Sequence, residues 1–139
     1  MFLSRTNSPD GRRKNACGME INMNNKNNLK PYITMDEALQ KKKEGSRSLK
    51  FLTQDNGCVN GCCSGITEYP DYEFSNKPGS HHDQEGFYVL EGEGFAKLDD
   101  LEFPIKTGDS FVALPGVAHT IRTKEGCNTV KVFWFHSGI

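Results

Sequence analysis

From Leu49 onward the chain is a succession of short apolar-alternating runs, each closed by turn residues after eight to twelve positions. The runs are "SLKFLT", "CCSGITEY", "GFYVLEG", "GFAKL", "LEFPI", "DSFVAL", "HTIRT" and "TVKVFWF". Period-two alternation gives a strand one face for a core and one for water, and the Gly, Pro and Asp between runs supply turns. No helical period appears after Gly45. Regular short strands of this kind predict an all-β fold, an antiparallel sandwich or barrel. "LDDLEF" reads as a hairpin with Asp99 and Asp100 at its turn, which is turn chemistry rather than a paired-carboxylate acid and base.

The first third of the chain has a different texture. Residues 1–30 are polar, and "NMNNKNNLK" has no periodicity. Such a segment buries too little apolar surface to offset its ordering entropy, so a flexible polar arm is expected there, with a single domain over 31–139. "ITMDEALQKKKEG" predicts a short helix: Thr34 as N-cap with Glu37 three residues on forms a capping box. Lys41, Lys42 and Lys43 suit the negative end of the helix dipole, and Gly45 sits where a C′ residue belongs.

Charge is uneven. Residues 1–50 hold eleven Lys/Arg and five Asp/Glu, whereas residues 51–139 hold six and thirteen. A basic arm on an acidic body implies self-attraction within or between protomers. Basic residues without interleaved aromatics argue against nucleic acid as the partner. No apolar run approaches the roughly 18 residues of a membrane span. The start, "MFLSRTNSPDGRRK", has no apolar core of a secretory signal, although its Arg and Ser leave an organelle-transit reading open. The five cysteines, Cys17, Cys58, Cys62, Cys63 and Cys127, are odd in number. Reduced thiols in a cytoplasm are therefore expected, with Cys58, Cys62 and Cys63 as small buried hydrophobes rather than a metal cluster.

Two stretches carry chemistry when taken together. The first, "PGSHHDQEGFYVLEGEG", runs from Pro78 to Gly94, and the second, "GDSFVALPGVAHTI", from Gly108 to Ile121. In content and order they resemble the two motifs of the cupin superfamily, over residues 49–137. The first motif of that family is Gly, His-x-His, three or four residues, Glu, six residues, Gly. Glu85 and Gly92 fit its second half. The second motif is Gly, five residues, Pro-x-Gly, two residues, His. Gly108 and His119 fit it, with Pro115 shifted by one position. The resemblance, to single-domain cupins of the RmlC-like kind, implies a double-stranded β-helix, a small jelly-roll barrel. Its lumen would hold a divalent metal on histidines and one glutamate, and a small-molecule ligand. Imidazole and carboxylate suit Mn, Fe, Ni or Zn better than Ca or Mg.

The family's His-x-His is replaced by adjacent His81 and His82. With a three-residue turn before Glu85, His81 takes the second histidine place and Gly79 the first. With a shorter turn, His82 takes it and Ser80 the first. His82 is favoured, because "HHD" then sits where "HxHD" would. Glu85 and His119 complete a three-ligand set. Period two also places Val130, Val132, Trp134 and His136 on the lumen side of the last strand. His136 is thus either a further ligand or a strand-end histidine near solvent. Phe87, Val89 and Trp134 are the expected walls of the ligand pocket. Phe133 and Phe135, on the opposite face, predict a sheet that pairs with a second protomer. Two functions remain open: a metal-dependent dioxygenase, isomerase or lyase, and a non-catalytic module that binds or senses a sugar or organic acid.

Overall fold

The computed structural model describes residues 29–138, together with the backbone of Arg13–Lys14 and Glu20–Ile21. The chain divides into two units, Met1–Lys30 and Pro31–Ile139. Within the first, β1 (Arg13–Lys14) pairs antiparallel with β2 (Glu20–Ile21). The flexible arm expected for residues 1–30 otherwise lies outside the described residues.

The second unit opens with α1 (Met35–Lys41). The Thr34 side chain accepts from the Glu37 N–H, and the Glu37 carboxylate accepts from the Thr34 N–H at 2.9 Å, which is the expected capping box. The other end departs from expectation. The helix stops at Lys41, Lys42 is extended with its N–H on Leu39 O, and Gly45 takes its positive φ of 74° in the turn that follows. Ala38 is the one buried residue of α1, so little tertiary packing extends the helix beyond its cap.

Eight strands build the body: β3 (Ser48–Lys50), β4 (Cys63–Tyr69), β5 (Glu85–Glu91), β6 (Glu93–Leu98), β7 (Leu101–Lys106), β8 (Ser110–Ala113), β9 (His119–Thr123) and β10 (Val130–His136). They form two antiparallel sheets, one ordered β3-β4-β10-β5-β8 and the other β7-β6-β9. This is the antiparallel all-β architecture that the alternating runs predict, in the jelly-roll form that the cupin resemblance implies. The inner faces close over a core that includes Phe87, Val89, Ala96, Ile121, Val132 and Trp134.

Strand parity follows the sequence. On β5, Glu85, Phe87 and Val89 are buried while Tyr88 and Leu90 are exposed. On β10, Val130, Val132 and Trp134 are buried while Phe135 is 45% exposed. Trp134 fits because its neighbour across to β4 is Gly65, where a Cβ would stand 2.5 Å from the indole Cζ2. The indole N–H donates to Thr67 Oγ1 at 2.8 Å, so the buried ring leaves no unpaired donor. β6 and β7 form the expected hairpin, with Leu98 opposite Leu101 and Asp99 at φ 50°. Cys58, Cys62, Cys63 and Cys127 are free and half-buried rather than core residues. Cys63 packs against the core, and burial pushes its thiol up. No described helix is long and apolar enough to cross a membrane.

Candidate metal centre

Strand ends deliver the centre. β5 begins at Glu85, β10 ends at His136 directly opposite it, and Cys63 and Ala113 continue the row on β4 and β8. Directly paired residues of antiparallel strands share a face, so this row lies on the inner side at one mouth of the barrel. His119, the first residue of β9, comes from the other sheet.

The two motif segments are stitched together by hydrogen bonds. The Gly79 N–H donates to His119 O at 3.0 Å and the His119 N–H donates back to Gly79 O at 2.9 Å. The Gly116 N–H donates to His81 O at 2.8 Å, and Ser80 Oγ donates to Gly116 O at 3.1 Å. The Asp99 turn clamps the same loop: its N–H donates to Ala118 O at 2.8 Å and its Oδ1 accepts from the Ala118 N–H at 3.0 Å.

Residues 80–84 belong to no strand. The parity that would separate the two adjacent histidines therefore does not act there, and the bend decides which one faces inward. It turns His81 towards Glu85 and leaves His82 exposed, outside the cluster, contrary to the preference for His82.

Three imidazoles converge on one carboxylate oxygen. Glu85 Oε2 lies 2.9 Å from His81 Nε2, 2.9 Å from His119 Nε2 and 3.7 Å from His136 Nε2. Each ring has an acceptor behind it. His119 Nδ1 is 3.0 Å from Val117 O, His81 Nδ1 is 2.8 Å from Asp83 Oδ1, and His136 Nδ1 is 2.9 Å from Asp83 Oδ2. A carbonyl oxygen only accepts, so His119 Nδ1 carries the ring proton. In the neutral ring, Nε2 is then a lone pair aimed at a carboxylate. Two acceptors at that distance need a proton or a cation between them.

In the protein alone, a proton fills that need. Burial pushes the Glu85 carboxyl up, but hydrogen bonds from His119 and His81 outweigh it and hold the group below the usual carboxylate range. Burial pushes His119 down, but the Glu85 carboxylate and the Val117 carbonyl outweigh it and hold the ring above its usual value. Burial likewise pushes Asp83 up and the hydrogen bond with His136 brings it lower. The donor set also fits an ion. His81, Glu85 and His119 form one group with all donor atoms within 4.8 Å of one another, and His81, Asp83 and His136 form a second. Imidazole nitrogens and one carboxylate make a borderline donor set for a divalent transition metal.

The three expected pocket residues are core residues. The Phe87 ring lies 5.7 Å from that of His119 and stacks on Phe111 at 4.6 Å, and the Trp134 ring lies 5.6 Å from that of His136. These two form a floor beneath the imidazoles. Val89, one inward step deeper and 0% exposed, packs in the core instead of walling a pocket. Arg122 lies 4.1 Å over the Phe95 ring and 3.7 Å from Glu102. Asp83 is the residue that sequence reasoning missed. A carboxylate two positions after a histidine was the signal, and "HHD" served only to align spacing.

No curated protein matches this chain. Among solved structures it is similar to a cupin protein from Bacteroides fragilis, with 17% identity and a TM-score of 0.57 over 78% of this chain and 85% of that one. A cupin domain from Schizosaccharomyces pombe is similar at 17% identity and a TM-score of 0.56, over 66% of this chain and 60% of that one. The iron(II) form of HppE in complex with its substrate is similar at 18% identity and a TM-score of 0.56, over 64% of this chain and 52% of that one. This chain thus spans less than two thirds of the length of the last two, and identities this low carry the fold alone. The family model described as the cupin domain matches residues 65–136, more than half of the sequence. The chain belongs to the cupin family.

Proposed function

We propose that this cupin holds one divalent transition metal, Mn, Fe, Ni or Zn, at the barrel mouth and presents it to a small-molecule ligand. The observation that carries this reading is the convergence of three Nε2 atoms on one buried Glu85 oxygen. His81, Glu85 and His119 would hold the ion, with His136 as a fourth protein donor. A metal bound there would serve as a Lewis acid or a redox centre. An iron(II) enzyme among the fold neighbours is compatible with this chemistry. Phe87 and Trp134 close the lumen beneath the cluster, so a ligand approaches from the mouth. A homodimer in the cytoplasm, with neither nucleic acid nor membrane as partner, completes the proposal.

Metal content of the purified chain and of His119→Ala tests it. The native chain is expected to carry close to one equivalent and the variant far less; substoichiometric metal in both sinks the reading. The alternative, a non-catalytic sensing module, is favoured by Gly79. A Cβ at this first-motif position would lie 2.9 Å from His119 Nε2, so a first-motif histidine would require the His119 ring to shift, and Gly79 supplies no donor. Thermal stabilisation by sugars or organic acids that persists in chelator, without turnover, would establish that alternative.

A further inference from the structure

Asp83 touches two of the three imidazoles from behind. Its Oδ1 lies 2.8 Å from His81 Nδ1 and its Oδ2 lies 2.9 Å from His136 Nδ1, so the two oxygens of one carboxylate hold two rings that come from different segments. The side chain is only 13% exposed, and its backbone carbonyl adds a second acceptor 3.1 Å from His81 Nδ1. An ionised carboxylate accepts and does not donate. Both Nδ1 atoms therefore carry ring protons, and each Nε2 faces Glu85, free to offer its lone pair to a metal once any proton there is given up. His119 reaches the same state by another route, through Val117 O.

We infer that Asp83 is the positioning carboxylate of the centre, and that by gripping His81 and His136 together it recruits a donor from the C-terminal strand where the first motif offers only Gly79. This rests on the metal reading above and deepens it. A carboxylate behind an imidazole fixes the tautomer and the ring orientation, and raises the basicity of the nitrogen that faces the metal. Gly79 offers no donor on its own side of the mouth, and a side chain there would have to displace the His119 ring. The loop packing agrees with this role. A Cβ at Gly61 would stand 3.8 Å from Asp83 Oδ2, so the turn before β4 runs beside the carboxylate. The assignment also decides between the two donor groups. If the His81 and His136 Nδ1 atoms carry protons, the group of His81, Asp83 and His136 is the support of a single site and not a second site.

Cobalt(II), added to the chelator-treated full chain, is the probe. Visible absorption bands report whether the metal binds at all, and their absence would fail the metal reading itself. If the bands appear at one equivalent, proton NMR of the cobalt protein reads the imidazole N–H groups as strongly shifted signals that vanish in D2O. Three such signals are expected, one for each Nδ1–H. In Asp83→Asn, two of them should move or disappear while the His119 signal stays in place, and cobalt affinity should fall about 10–100-fold. His136→Gln, a second variant that spares Asp83, should remove one signal and keep two. Two equivalents of cobalt, only two signals in the native chain, or an Asp83→Asn spectrum identical to the native one would each overturn the inference.

Discussion

At the scale of single residues, protonation and metal binding compete for the same atoms. Glu85 has a folded pKa below its reference of 4.5, so its contribution to stability is present above that value and is lost as pH falls through the folded one. His119 has a folded pKa above its reference of 6.5, so its contribution is present below that value and is lost as pH rises through the folded one. The two signs define a window. In chelator, the melting temperature should be highest between pH 4.5 and 6.5 and should fall on both sides. Metal reverses the alkaline side, because ligating imidazoles must give up the proton and binding tightens as pH rises. Thermal melts across pH with and without metal check both signs. A chelated chain that is equally stable at pH 6 and pH 8 would contradict the pairing of His119 with Glu85. Residue identity was partly readable in advance. Glu85, His119 and His136 sit on strands, where parity dictates direction. His81 and Asp83 sit in a bend, where tertiary hydrogen bonds from Gly116 and His136 decide direction and no local pattern reports it.

At the scale of elements, alternation was sufficient to find every strand of the body, because strands such as β6 and β10 bury alternate residues and a slip of one residue would expose their core set. The end of α1 was not readable, since it depends on how little the helix buries. The pairing of β4 with β10 was not readable either. It joins runs more than sixty residues apart, and its consequence is that Trp134 stands over Gly65. A Cβ on Gly65 would lie 2.5 Å from the indole and 2.6 Å from Leu49 O, a side chain on one side and backbone on the other. Neither can retreat without moving β3 or the indole that floors the cluster. Gly65→Ala should therefore destabilise the chain by about 1–3 kcal/mol, the usual cost of overpacking a filled core. Urea denaturation of the metal-free protein measures this, and an unchanged midpoint would mean that the β3–β4 packing is softer than its geometry implies. The same variant should shift Trp134 fluorescence, since the added methyl group meets that ring directly.

At the scale of the whole molecule, the outer face of the five-stranded sheet is the surface on which self-association is to be tested. Phe133 pairs with Ile66 on one side and Tyr88 on the other, while Phe135 lies over Gly86, which pairs with Val112. Tyr88, Val112 and Phe135 are each 45–46% exposed. Contiguous exposed apolar surface of this kind marks an interaction site. A two-fold contact needs one patch that complements itself, and an apolar sheet face satisfies this without matched charges. The chain offers a second route to self-association, a basic N-terminal third against an acidic remainder, and the two routes differ in their response to salt. Attraction between exposed charges is screened over a Debye length of about 8–10 Å at physiological ionic strength, whereas apolar burial is not. If the sheet face is the interface, sedimentation should give twice the 15.6 kDa chain mass at both 0.1 and 1 M salt. The pair Tyr88→Glu and Phe135→Glu should then yield a monomer that still takes up metal, since both side chains point away from the cluster. Dissociation of the native protein by salt alone would shift the assignment to the charged segments, and a native chain that sediments as a monomer would remove both.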